Sequence, residues 1–213
     1  MSDYEEAVVV IVAGMQLANF QEINITRGAN DAAISFALKC TNPAWSASAY
    51  VLREGAEVEV MAISARFGST LICRGYVDEY EAATGEDNRR EVRISGRSKS
   101  QDAIDCPPAK HKTGRIEKKT LLDAAKEFDE FGTAWTADIP LRQIAKIQRD
   151  PDDTVFDTID RYARAEGLLL TGQPDGGVKI TRAGTKRHAG RIAIGEAPCR
   201  SMSIKFSAQA RGR

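Results

Sequence analysis

The sequence predicts an α+β protein: an N-terminal antiparallel β-barrel or sandwich, a small α+β unit, and a closing return to strands. Three observations carry this. Apolar and polar residues alternate with period two through the first half of the chain. Two helix starts with capping boxes follow. Strand patterning then returns near the C-terminal end. The corresponding segments are 1–104, 105–188 and 189–213.

Ala7–Ala13 is a continuous apolar run, compatible with a buried strand. Ile23 and Ile25, then Ile34, Phe36 and Leu38, then Val58 and Val60, then Val92 and Ile94 alternate with polar neighbours. Each such segment puts one face in a core and the other in water. Turn residues separate them at Arg27–Asp31, Glu54–Gly55, Phe67–Ser69 and Thr84–Asn88. Residues 42–49 read as a loop with Trp45 as an anchor. Short strands at this spacing suggest a small barrel or sandwich.

The pattern changes near Gly96. Ser98–Ile104 reads as a short helix stopped by Cys106-Pro107-Pro108, and Lys110–Lys119 reads as a basic polar loop. Thr120 and Asp123 open one helix, with Leu121, Ala125 and Phe128 on its apolar face. Thr154 and Asp157 open another, with Val155, Ile159 and Tyr162 at helical spacing. Gly167 ends that helix. Leu168–Leu170, the turn Pro174–Gly177, and Val178 with Ile180 read as a hairpin. Ile192 and Ile194, then Ile204 and Phe206, resume the strand pattern.

Composition narrows the function. The 213 residues balance 30 Lys+Arg against 30 Asp+Glu, which argues against a dedicated nucleic-acid binder or a polybasic membrane anchor. With 42% hydrophobic and 28% charged residues the chain reads as globular. Its longest apolar run falls far short of the ~20 residues of a bilayer span. The acidic start is unlike the basic start of a signal peptide. Cys40, Cys73, Cys106 and Cys199 are too scattered for a zinc site or a disulfide framework, so reduced thiols are expected.

Candidate chemistry is sparse. His111 and His188 lack a second ligand at metal-site spacing and read as surface histidines. Asp150, Asp152 and Asp153 lack the rhythm of a calcium loop and read as charge at a helix start. Asp102 and Asp105 could form a glycosidase-like pair, with nothing to place a substrate between them. Nucleophile-elbow, phosphate-loop and dinucleotide motifs are missing. The run Lys110–Lys119 and the later Lys186, Arg187, His188 and Arg191 read as solvated basic faces. The residues therefore assign no catalytic, cofactor-binding or metal site, and no cofactor.

Two stretches carry a family resemblance. Ile94–Cys106 (ISGRSKSQDAIDC) and Asp152–Gly184, which ends in DGGVKITRAG, resemble signatures of the baseplate hub proteins of Mu-like contractile phages, the gpP-like tail family. Ile25-Thr26-Arg27, Gly55–Val60 and Gly75-Tyr76-Val77-Asp78 fit the same pattern in the same order. The resemblance implies a virion structural protein and no enzyme. Such hubs are trimers whose subunits each carry two related barrels. The resulting pseudo-sixfold ring joins a hexameric tail tube to a trimeric central spike, and its lumen is part of the tail channel. The hub part of type VI secretion spikes is similar.

Implied partners are further copies of the chain, the tube protein, the spike protein and other baseplate proteins. DNA is met only in passage, and no stable membrane association is implied. Assembly is expected in the host cytoplasm, with the tail baseplate as the final location. Family members run longer, and here the second barrel has only begun at Ile192–Ser207. Two alternatives are kept: a cell-wall hydrolase working through Asp102 and Asp105, and a small-barrel nucleic-acid-binding module using Lys110–Lys119.

Overall fold

The computed structural model describes residues 6–17, 20–29, 31–41, 53–64, 68–84, 90–111 and 113–184. Seven antiparallel strands form one sheet: β1 (Glu6–Val12), β2 (Met15–Leu17), β3 (Phe20–Thr26), β4 (Ser35–Thr41), β5 (Glu57–Ser64), β6 (Gly68–Thr84) and β7 (Arg90–Ser98). Their spatial order is β2-β1-β5-β6-β7-β4-β3. The alternating residues behave as their period requires. Val10, Val12, Phe36, Leu38, Cys40, Val58, Val60, Val92 and Ile94 turn to one side and form a core.

Connectivity forces this sheet to curl. β2 and β3 stand at its opposite edges, yet only two residues separate Leu17 from Phe20. A flat sheet would hold these strands about 29 Å apart at ~4.8 Å per strand. The intervening chain reaches only about 11 Å. The result is a curled half-barrel: among the described residues β2 and β3 pair with β1 and β4, and not with each other. Two β-bulges let the 17-residue β6 bend around it. One leaves Ile72 unpaired between Leu71 and Cys73, and the other leaves Asp78 unpaired between Val77 and Glu79.

The rest of the described chain builds the α+β part. It comprises α1 (Gln101–Asp105), β8 (Arg115–Thr120), α2 (Leu121–Phe128), β9 (Trp135–Ala137), β10 (Gln143–Gln148), α3 (Val155–Ala165), β11 (Leu169–Gly172) and β12 (Val178–Thr181). Both predicted capping boxes form. Thr120 Oγ1 accepts from the Asp123 amide, and Thr154 Oγ1 from the Asp157 amide, at 3.2 and 3.0 Å. Leu121, Ala125, Phe128, Val155 and Ile159 are buried, as the helical spacing demands. Tyr162 is partly buried, and its hydroxyl accepts from the Gln148 amide at 2.9 Å. Gly167 ends α3 with φ of +65°. The predicted hairpin pairs Leu170 with Ile180 across β11 and β12.

Two expectations need correction, and one pairing is new. Lys110–Lys119 is not all loop: β8 pairs antiparallel with β10. Only Ile116 of β8 is buried, so no alternation announced the strand. The short helix starts at Gln101, because Ser98 is still held in β7. β9 pairs parallel with β12, which local patterning does not encode. Trp45, the 42–49 segment, His188, Cys199 and the return strands at 192–207 lie outside the described residues.

Candidate interaction surface

β3, β4, β7 and β6 present a polar face opposite the apolar core, and strand register arranges it in rows. Glu22, Lys39, Arg93 and Glu81 form one row, and Asn24, Ala37, Ser95 and Glu79 the next. A shallow groove crosses both rows. Lys39 pairs with Glu91 at 3.1 Å, and Arg93 with Glu91 at 2.7 Å and Glu81 at 3.9 Å. Ser95 Oγ donates to Glu79 at 3.3 Å. The bulge frees Asp78 from the ladder, and its carboxylate takes Arg97 Nε at 3.0 Å. Arg97 reaches Asp105 with its other arm, also at 3.0 Å. Among the described residues Lys39, Arg93 and Arg97 are thus engaged by carboxylates, as is Arg74 of β6 by Glu59 at 2.6 Å. Lys39 first, then Arg93, holds the Glu91 carboxyl below the usual range. Phosphate binding needs cations that carboxylates have not already neutralised, and each of these four is already paired.

The Ser-Gly-Arg-Ser-Lys-Ser stretch predicted from the motif forms the junction between sheet and α+β part. A Cβ on Gly96 would stand 2.1 Å from the Tyr76 carbonyl oxygen and 2.4 Å from Phe36 Cζ, so only glycine fits. Lys99 Nζ pairs with Glu57 at 2.7 Å and lies 5.5 Å over the Tyr76 ring. That contact holds the Glu57 carboxyl below its ordinary range.

The other candidates resolve into structural roles. His111 is not a surface histidine: its ring stands edge-on to the buried Phe128, 4.9 Å between centroids. Its Nδ1 accepts from the Gly114 amide at 3.1 Å, and its Nε2 lies 3.5 Å from Glu127. His111 is thus half-buried, and the residue it packs on, Phe128, is seventeen positions away and invisible to local pattern. Asp105 is occupied by Arg97 and by Gln101 at 3.3 Å, while Asp102 is exposed at the start of α1. Neither lines the groove. Asp150 and Asp153 both pair with Arg161 of α3, at 3.0 and 2.9 Å. In the basic run, Lys110 faces Glu130, Arg115 faces Glu117 and Lys119 faces Glu127. Among the described residues no cluster of His, Cys, Asp or Glu could hold a metal ion. No described helix is long and apolar enough to cross a membrane. Burial pushes the Cys40 and Cys73 thiols up to about 11.

The described residues form a curled half-barrel joined through a buried serine junction to a small α+β part, a β-rich α+β framework. The comparisons name its class. Residues 7–98 match the family described as Mu phage baseplate assembly protein GpP-like, N-terminal, and residues 100–182 match the baseplate hub protein gp44-like second domain. The chain belongs to the baseplate hub proteins of Mu-like phages.

It is 26% identical over 121 residues to baseplate hub protein gp44 of Escherichia phage Mu, covering 54% of this chain and 31% of that protein. The 43 kDa tail protein of prophage MuSo2 from Shewanella oneidensis shares the fold, with a TM-score of 0.72 at 24% identity. That match covers 85% of this chain and 56% of that one. The E. coli c3393 protein, a type VI secretion component similar in structure to T4 tail proteins gp27 and gp5, also shares it. There the TM-score is 0.54 at 5% identity, over 81% of this chain and 48% of that one. This chain therefore spans about a third of its curated relative, and about half of each solved one.

Proposed function

We propose that this chain is a subunit of a trimeric hub ring that joins a hexameric tail tube to a trimeric central spike in a contractile-tail baseplate. The observation that carries this reading is the unbroken order of two hub domains on one half-barrel-plus-α+β framework. The partly covered edge of β1 supports it. Among the described residues β2 covers only Val10–Val12 of β1. Unpaired edges are templates for further strands, and a heterologous contact that closes makes a ring. The polar face suits a channel wall, since five carboxylates (Glu22, Asp78, Glu79, Glu81, Glu91) stand beside three paired cations. Assembly in the bacterial cytoplasm, with DNA only passing through, belongs to the same reading. So does the division into 1–104, 105–188 and a second barrel opening at 189–213.

The test is the mass of the purified chain by light scattering, alone and with tube and spike proteins. A trimer, or a stable complex with either partner, is expected. A chain that stays monomeric at high concentration and binds neither would overturn the reading. A hydrolase acting through Asp102 and Asp105 finds no support in the site, since Asp105 is committed to Arg97.

A further inference from the structure

We propose that Ser98 and Ser100 clasp the sheet and the α+β part into one cooperative body, so that the two hydrophobic cores open together rather than as separate domains. The described protein has two distinct clusters of buried side chains, one under the sheet and one between α2, α3 and the small sheets. Two cores joined by a short connection ordinarily move and unfold independently. Here the connection is itself buried.

Ser98 and Ser100 are both 0% exposed. The Ile34 amide donates to Ser98 Oγ at 2.9 Å, and Ser100 Oγ donates to the Ala32 carbonyl at 2.6 Å. The two hydroxyls lie 2.8 Å apart. A serine has one hydroxyl proton. Ser100 spends its proton on Ala32, so Ser98 must donate to Ser100. The chain of donation therefore runs in one direction, from the Ile34 amide through both serines to the Ala32 carbonyl. Chains of this kind polarise one another, and losing one member leaves the others buried and unpaired.

The backbone they grip bridges the cores. Ile34 is buried in the sheet core, while Ala32, two residues earlier, is buried in the α+β core. From the α+β side, the Gly172 amide donates to the Asp31 carbonyl at 2.8 Å. A Cβ on Gly172 would meet the Ala32 carbonyl oxygen at 2.5 Å. The β11–β12 turn adds a second approach, because a Cβ on Gly176 would lie 2.8 Å from Lys99 Cβ. The 31–34 segment is thus held by β7 and the serines on one side and by β11 on the other.

Hydrogen exchange of the full chain across a urea series tests this. In the wild type, amides of β4 and β7 and amides of α3, β11 and β12 are expected to lose protection at one common midpoint. In Ser98→Ala/Ser100→Ala the two sets are expected to separate, by roughly 1 M urea, with both cores still protected at low urea. Gly172→Ala attacks the same segment from the other side and is expected to separate the same sets. It serves as the variant should the double substitution fail to fold. Two midpoints in the wild type, or a single midpoint retained in the folded variants, would overturn the proposal.

Discussion

At the scale of single residues, small side chains decide where backbones meet. Gly96 lies against the Tyr76 carbonyl and the Phe36 ring. Gly96→Ala must displace one of them, and a loss above about 2 kcal/mol is expected in urea unfolding, as for other overpacked sites. Ala13 and Gly14 form the two-residue link between Val12 and Met15, with φ of +47° and +81°. Both central residues of such a turn need positive φ, which asparagine tolerates far better than alanine. Ala13→Asn is therefore expected to raise the melting temperature; an unchanged or lower value would show that the turn is not limiting. The thiols give a chemical check. Cys40 and Cys73 are buried, with pKa values pushed up to about 11, whereas Cys106 is exposed. A thiolate reagent at neutral pH should modify Cys106 and leave Cys40 and Cys73 intact until unfolding, as read by mass spectrometry.

At the scale of elements, the helices are pinned by reciprocal caps and the β8–α2 region by charge. Thr154→Ala is expected to cost about 1 kcal/mol, because the Asp157 amide loses its acceptor. Hydrogen bonds from Thr120 hold the Asp123 carboxyl below its ordinary range. Lys119, with His111 adding less, does the same for Glu127. A depressed carboxylate contributes stability above its unfolded pKa and loses it as pH falls through the folded value. Acid should therefore weaken this region below about pH 4, and Asp123→Asn should flatten that dependence in pH-resolved melts. These helices were legible in the sequence because the cap, the apolar face and the stop all lie within one short continuous segment. β8 and β10 were not, since each buries few residues and exists through its partner. Tyr162 was readable as apolar-face spacing, but its hydroxyl bond to Gln148 was not.

At the scale of the whole molecule, a chain with zero formal charge and a pI near 6.8 has little repulsion to keep copies apart. Unassembled protein should be least soluble near neutral pH and more soluble a unit or two to either side, which turbidity against pH will show. In the proposed hub assembly that neutrality is no handicap. The candidate surface was half visible in the sequence. The alternation that hides Phe36, Leu38, Val92 and Ile94 also fixes which residues share the polar face. What alternation leaves open is how strands from distant parts of the chain line up. Only register puts Glu22, Lys39, Arg93 and Glu81 in one row, and only the bulge at Asp78 lets Arg97 reach two carboxylates.

The sequence by itself determined the strand faces, the two capped helices, the terminal hairpin and the family motifs, because each depends on residues a few positions apart. Tertiary structure alone decided the curl of the sheet, the pairing of β8 with β10 and of β9 with β12, the packing of half-buried His111 on Phe128, and the serine clasp across residues 32–34 and 98–100. Those depend on contacts between residues far apart in the chain. Their energies come from what the folded backbone brings together, and no local period records them.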